Sequence, residues 1–140
     1  MAGIRHVNPP EMGPPLGLYS QIVIHEASCQ AFVAGQVAID SSGEFIGQGD
    51  VGLQTEQILK NIGAALASLG EDWSSVISLT TYLTSAEDFP EFARTRKRLF
   101  ASYFPDAAFP AHTLLVVSAL SAPHHLVELD AVVSYSGRDQ

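Results

Sequence analysis

Apolar and polar positions recur along the chain with spacings that predict two helices and five strands. Apolar residues at helical spacing over 58–69 predict the first helix, with Asp50 as its N-terminal cap and Gly70 as its stop. The second helix follows Asp88, another candidate cap, and its apolar stripe contains one charged residue, Arg96. The remaining apolar runs, rich in β-branched residues, predict strands over 20–27, 29–39, 75–85, 112–120 and 125–135.

The order β-β-α-β-α-β-β predicts an α+β domain in which two helices cover one face of a mixed β-sheet. Residues 1–15 form an extended N-terminal arm in this interpretation, 16–135 the domain and 136–140 a tail. The stretch 1–18 holds four of the eight prolines and three of the eleven glycines, so we expect no regular element there.

Two of the predicted strands are apolar on both sides, over 31–39 and 112–120. One layer of helices can bury only one side of such strands. We therefore expect the other face of the sheet to pack against further subunits.

Composition narrows the range of partners. At 140 residues with a net charge of −8, the chain is a single acidic domain, which argues against nucleic acid as a main partner. No apolar run is long enough to cross a membrane, and the N-terminus lacks the pattern of a secretory signal, so a cytoplasmic location is expected. The lone Cys29 excludes a disulfide within the chain and is expected to be a buried thiol.

One local exception to the acidic charge is the basic run Arg94, Arg96, Lys97 and Arg98. It is either the solvated face of a helix or an anion site for substrate carboxylates or a neighbouring subunit's acidic surface.

Several stretches together resemble the RidA/YjgF family of reactive-intermediate deaminases. They are "GLYSQ" (17–21), "FVAGQVAID" (32–40), "QTEQILKNIGAALASLG" (54–70), "VISLTTYLTSAEDFPEF" (76–92), "FPAHTLLVVSAL" (109–120) and "HLVELDAVV" (125–133). The resemblance implies a chorismate-mutase-like fold and a homotrimer with pockets at its subunit interfaces. It also implies hydrolysis of enamine or imine intermediates to a 2-oxo acid and ammonia, without a metal or organic cofactor.

The resemblance also implies site residues. Tyr19 matches the family tyrosine, Gly35 and Gln36 match a Gly-Gln segment, and Glu128 matches the glutamate that positions water. Three polar positions differ: the family serine is Ala34, the helix asparagine is Ala93, and the arginine that clamps the substrate carboxylate is His112.

A histidine cannot replace an arginine as a permanently charged, bidentate clamp, but it can transfer protons near neutral pH. We therefore hypothesise that His112 and Glu128 form an acid/base pair, with Tyr19, Ala34, Gly35, Gln36, Ala93 and Arg96 lining the substrate pocket. The alternative is that His112 only forms a structural hydrogen bond at a strand end. A zinc site using His112, His124 and His125 is disfavoured, because adjacent histidines lack regular ligand spacing.

Three functions remain open at this point. The first is hydrolysis of a small reactive imine or enamine that lacks an α-carboxylate or is bulkier than usual. The second is a related tautomerase or cyclase reaction in biosynthesis. The third is a non-catalytic trimer that binds a small metabolite. Ribonuclease activity is disfavoured by the acidic charge.

Overall fold

In the computed structural model, which describes residues 3–137, the chain forms six strands and two long helices. The strands are β1 (Ile4–Val7), β2 (Ile22–His25), β3 (Gln30–Gln36), β4 (Val76–Leu83), β5 (Ala111–Val116) and β6 (Val127–Ser134), and the helices are α1 (Val51–Ser68) and α2 (Phe89–Tyr103). The predicted elements are all present, with ends that differ by a few residues.

The six strands form one mixed sheet in the order β1-β2-β3-β6-β4-β5. β4 and β5 run parallel, and every other neighbouring pair is antiparallel. The two helices pack against each other and bury one face of the sheet, so the α+β architecture predicted from the sequence is confirmed.

Helix α1 begins and ends as its sequence predicts. The Asp50 carboxylate accepts a hydrogen bond from the Leu53 N–H at 3.0 Å. At the other end Gly70 adopts φ +70° and donates its N–H to the Ala67 carbonyl at 3.0 Å. The left-handed conformation at this position favours glycine and closes the helix in a Schellman motif.

Helix α2 begins differently from the prediction. Asp88 already has helical dihedral angles and its side chain forms no capping hydrogen bond. Pro90 follows in the first turn and has no N–H to offer. The capping hydrogen bond instead belongs to the preceding short turn, in which the Ser85 hydroxyl accepts from the Glu87 N–H at 3.2 Å.

The N-terminal arm contains a strand that the sequence did not predict. Ile4–Val7 pairs antiparallel with Ile22–His25 at the edge of the sheet. The prolines and glycines between positions 8 and 18 led to the prediction of no regular element in this arm. They follow the strand and do not interrupt it. Cys29 also differs from its prediction: it is exposed in the turn between β2 and β3, where it adopts φ +55°.

The face of the sheet opposite the helices carries exposed apolar side chains. Phe32 on β3 is 43% exposed and Leu115 on β5 is 44% exposed. Register places both on this face. Leu115 lies opposite Tyr82, and Phe32 lies opposite Val132, which in turn pairs with Ser78. Ser78 and Tyr82 are both out of phase with the buried Leu79 and Leu83 on β4. Across residues 3–137, neither helix combines the length and apolar composition needed to cross a membrane.

Candidate functional site

All of the predicted site residues except Gln36 line one of two surface clefts. The Glu128 cleft has a volume of about 340 Å³ and is lined by Leu16, Tyr19, Ala34, Gly35, Val37, Ser121 and Glu128. The His112 cleft has a volume of about 640 Å³ and is lined by Ala93, Arg96, Lys97, Phe100, Ala101, Phe109, Pro110 and His112. Among the described residues, neither of these two clefts contains both members of the hypothesised acid/base pair.

Sheet register explains this separation. His112 lies opposite the buried Leu79 of β4, whereas Glu128 lies opposite Tyr82, three positions further along the same strand. Because side chains alternate between faces, His112 points to the helix side and Glu128 to the open side. Strand spacing and rise place their Cα atoms about 14 Å apart, too far for direct proton transfer.

The Glu128 cleft is built around an irregularity in strand β3. Pairing between β3 and β6 is interrupted between Val33 and Gln36, so Ala34 and Gly35 leave the regular ladder. A Cβ atom added to Gly35 would lie 2.2 Å from the Glu128 Oε2. Only glycine therefore lets the backbone approach the carboxylate this closely.

The surroundings of Glu128 favour its protonated form more than water does. Partial burial raises the pKa of Glu128, and the neighbouring Asp130 adds a smaller effect in the same direction. Asp130 is itself bonded, since the Tyr82 hydroxyl donates to its Oδ2 at 3.2 Å. Among residues 3–137 no group donates a hydrogen bond to the Glu128 carboxylate, which leaves it available to a ligand or to water.

Two other predicted residues play more structural parts. The exposed Tyr19 lines the Glu128 cleft, and its hydroxyl accepts the Leu16 N–H at 3.1 Å. Gln36 is buried, and its amide donates to Gln21 Oε1 and to the Ala34 carbonyl, both at 3.0 Å. Gln36 therefore links the end of β3 to the residue before β2 and to the irregular segment at Ala34, and it does not line the Glu128 cleft.

Both ring nitrogens of His112 are engaged within the chain. Its Nε2 lies 2.7 Å from the hydroxyl of the fully buried Thr81, and its Nδ1 lies 3.3 Å from Arg96 Nη1. A guanidinium can only donate, so Nδ1 accepts and the proton resides on Nε2, which donates to Thr81. The structure thus fixes one neutral tautomer.

Burial, followed by the adjacent Arg96 charge, lowers the pKa of His112 to about 4. His112 is therefore neutral at pH 7 and titrates well below pH 6.5, the ordinary pKa of a histidine. Together with its two occupied nitrogens, this argues against proton transfer by His112 near neutral pH. The pairing of His112 with Glu128 across copies of the chain stays a prediction. Within the chain, His112 accepts a hydrogen bond from Arg96 and donates one to Thr81.

The basic run on α2 serves two purposes. Arg94 pairs with Glu91 on the same helix, and Arg98 donates to Glu56 at 2.9 Å, so these two lie on the solvated surface. Arg96 and Lys97 instead line the His112 cleft. In the sequence, Arg96 is the one charged member of the apolar stripe of α2, and in the structure it lines this cleft.

Sequence reasoning missed several lining residues. Thr81 and the cleft residues Phe109 and Pro110 were not singled out, although a threonine among apolar strand residues signals a buried hydrogen bond. His125 is also buried, at 4% exposed, and it packs against Phe45. Within residues 3–137, no group of three or more His, Cys, Asp or Glu side chains is placed to hold a metal ion.

Comparison with known proteins extends the picture. The sequence model of the family described as Endoribonuclease L-PSP matches residues 11–135. A Myxococcus xanthus protein named DfrA is 38% identical over 117 residues, covering 84% of this chain and 85% of that protein. The human 2-iminobutanoate/2-iminopropanoate deaminase is 31% identical over 117 residues, covering 84% of this chain and 80% of that protein.

Solved structures agree with these sequence relationships. The Yersinia pestis YyfA protein, described as a member of the conserved Rid protein family, is 26% identical with a TM-score of 0.81, covering 94% of this chain and 99% of that one. The Escherichia coli YjgF gene product is 22% identical with a TM-score of 0.82 over the same shares and shows the same fold. The chain therefore belongs to the RidA/YjgF family over nearly its whole length.

Proposed function

We propose that this protein hydrolyses small reactive imines or enamines at a site formed between two copies of the chain. Glu128 and the Gly35 backbone come from one copy, and the His112 cleft comes from the next. The observation that carries the proposal is the Glu128 carboxylate, partly buried, with a raised pKa and without a hydrogen-bond donor in residues 3–137. A carboxylate of this kind is suited to accept a proton from water near neutral pH.

The chemical step needs only this carboxylate and water. The oxygen of water adds to the imine carbon as the C=N π bond breaks, and Glu128 takes one proton from the water and delivers it to nitrogen. The tetrahedral carbinolamine then loses its C–N bond while the hydroxyl proton moves to the departing nitrogen. The products are a carbonyl compound and ammonia.

A homotrimer is part of this proposal. It is supported by the exposed apolar side chains on the open face, Phe32 and Leu115, which a second subunit would cover. It is further supported by the division of the predicted site between two clefts, because a cyclic arrangement can bring unlike surfaces of successive copies together. In the trimer, the two half-sites would face each other three times.

Relatives named as imine deaminases support the reaction class. The net charge of −8 disfavours the ribonuclease activity that the family description mentions, since a phosphate backbone requires a basic surface.

The proposal is tested by generating imines in situ and following their loss above the spontaneous rate. Suitable probes are 2-iminobutanoate, made by a pyridoxal-phosphate-dependent dehydratase from threonine, and 2-imino-4-methylpentanoate, made by an amino-acid oxidase from leucine. We expect Glu128→Gln to lower kcat about 10²- to 10⁴-fold while KM changes little. The exposed Glu87 provides the control, because Glu87→Gln makes the same change of charge away from both clefts.

If the wild-type protein accelerates the loss of neither imine, the hydrolase proposal is wrong. Ligand binding without turnover would then support a metabolite-binding trimer.

A further inference from the structure

Arg96 differs from the other arginines of the described chain in having no acidic partner. Within residues 3–137, the ion pairs involve Arg5, Arg94 and Arg98, each with a glutamate. The only hydrogen bond of the Arg96 guanidinium in this part of the chain goes to the neutral ring of His112. A full positive charge is thus placed in a cleft without a compensating negative charge.

The guanidinium is nevertheless held in position. Its Nη1 donates to His112 Nδ1 at 3.3 Å, and its central carbon lies 5.3 Å from the centre of the Phe92 ring. The tautomer of His112 is locked by Thr81 from the other side of the ring. A guanidinium has five N–H donors, so this arrangement orients it and leaves four of them for a ligand.

The remainder of the His112 cleft is largely apolar. Phe100, Phe109 and Pro110 form its walls, and Lys97 adds a second positive charge at the side. Phe109 is 59% exposed in the single chain, although it packs edge-on against Phe104. These surroundings suit a ligand that combines one anionic group with an apolar body.

We propose that Arg96 is the anion-binding group of the His112 cleft and takes the carboxylate of a small substrate whose remainder is apolar. His112 is the positioning residue that aims the guanidinium. This inference rests on the proposed function and deepens it: where the family resemblance implies an arginine at position 112 of strand β5, this chain offers Arg96 from helix α2 to the same cleft. A planar guanidinium is well matched to the two oxygens of a carboxylate.

Electrostatics are consistent with this role. Partial burial alone lowers the pKa of Arg96, with no acidic group acting in the opposite direction. A partly desolvated cation without a partner gains more from an incoming anion than a solvated one does. Arg96 nevertheless remains protonated at neutral pH.

Binding is measured with a stable product-like probe, so that the test does not depend on turnover. Isothermal titration compares 4-methyl-2-oxopentanoate with its uncharged primary amide, which keeps the apolar body. We expect the wild-type protein to prefer the carboxylate and Arg96→Gln to lose about ten- to a hundredfold of that affinity, with amide binding unchanged. Arg94→Gln removes the same charge from the solvated side of α2 and should bind both probes as the wild type does.

A second pair of variants tests His112 as a positioning residue. His112→Asn keeps an acceptor near the place of Nδ1, whereas His112→Leu has none. We expect the asparagine variant to retain most of the preference for the carboxylate over the amide, and the leucine variant to lose part of it. A residue that serves packing alone would give the same preference in both variants.

The inference is overturned if the wild-type protein does not prefer the carboxylate, or if Arg96→Gln binds it as tightly as the wild type. A change of oligomeric mass in Arg96→Gln with unaltered probe binding would also overturn it, because Arg96 would then pair with a carboxylate of the neighbouring copy. Failure of the proposed function looks different: the carboxylate binds through Arg96, but no imine is hydrolysed.

Discussion

His112 and Glu128 project from opposite faces of the same sheet, although the sequence suggested that they act together. Their partners on β4, Leu79 and Tyr82, are an odd number of residues apart, and this parity fixes the two faces. In the proposed function, each face of the sheet supplies one half of the site. The proposed reaction requires that two copies combine these halves.

The first prediction concerns assembly. We expect light scattering or sedimentation at micromolar concentration to give a homotrimer of 15.0 kDa chains. Leu115→Glu, which places a charge on the exposed apolar face, should lower the mass toward that of the monomer without unfolding the chain, because Leu115 is 44% exposed. A wild-type monomer under these conditions would contradict both the trimer and the shared site.

The second prediction concerns the close approach of Gly35 to Glu128. Gly35→Ala would place a Cβ 2.2 Å from the Glu128 Oε2, so the carboxylate must move. We expect the rate of imine hydrolysis to fall at least tenfold, while far-UV circular dichroism shows an intact fold.

Gly63 in α1 supplies the matched control, since its added Cβ would meet only Trp73 at 3.8 Å. Gly63→Ala should leave activity unchanged and raise the free energy of unfolding by about 0.5–1 kcal/mol. Full activity in Gly35→Ala would show that the position of the Glu128 carboxylate is not critical.

Much of this architecture could be predicted from local sequence. Helix α1 has a regular apolar stripe, a capping aspartate and a stop glycine, and all three act within a few residues. The strand Ile4–Val7 could not be predicted from local sequence, because it is short, lies at the edge of the sheet and forms by pairing with β2. Asp88 failed as a cap because the backbone before it was already helical.

The site was harder to predict, for a physical reason. Whether His112 and Glu128 share a face depends on the order and register of β6, β4 and β5, which are set by long-range pairing. The pKa of His112 likewise depends on burial under α2 and on Arg96. The charged residue within the apolar stripe of α2 was visible in the sequence, but its contact with His112 was not.

The third prediction concerns a second positive charge placed at position 112. From the sequence, His112→Arg should restore the missing clamp. In the structure, it would place a second guanidinium beside Arg96, whose Nη1 lies 3.3 Å from the His112 ring. We therefore expect the single variant to be less stable and to gain no affinity for 4-methyl-2-oxopentanoate, because the two like charges repel each other.

In the background of Arg96→Gln the same change should restore carboxylate affinity, since one guanidinium then occupies the cleft alone. Titration calorimetry on the two single variants and the double variant measures this coupling. Equal gains from His112→Arg in both backgrounds would show that Arg96 does not occupy the same site.

The fourth prediction concerns stability and pH. The pKa of His112 is about 4 in the folded protein, below the ordinary value of 6.5 expected when unfolded. Between these values the unfolded chain binds more protons, so the stability due to neutral His112 is complete above pH 6.5 and is lost as the pH falls toward 4. The midpoint of thermal unfolding should fall more steeply over this window in the wild type than in His112→Asn.

Other groups titrate in the same window but are common to both proteins. Burial and the nearby His124 lower the pKa of His125. The contribution of His125 to the free energy of unfolding therefore also falls as the pH falls. The raised pKa of Glu128 acts in the opposite direction, because its protonation favours the folded state. Both effects cancel in the comparison, and a pH-independent difference between the two proteins would show that His112 titrates normally.

Subunit mixing tests the shared site most directly. Glu128→Gln and Arg96→Gln trimers, each impaired alone, are unfolded together, refolded at equal concentration and assayed for imine hydrolysis. If each site takes Glu128 from one copy and Arg96 from the next, random assembly leaves about a quarter of the sites intact, and the mixture should recover about a quarter of wild-type activity. A mixture no more active than the average of its two parents, refolded separately, would contradict a site built between two copies of the chain.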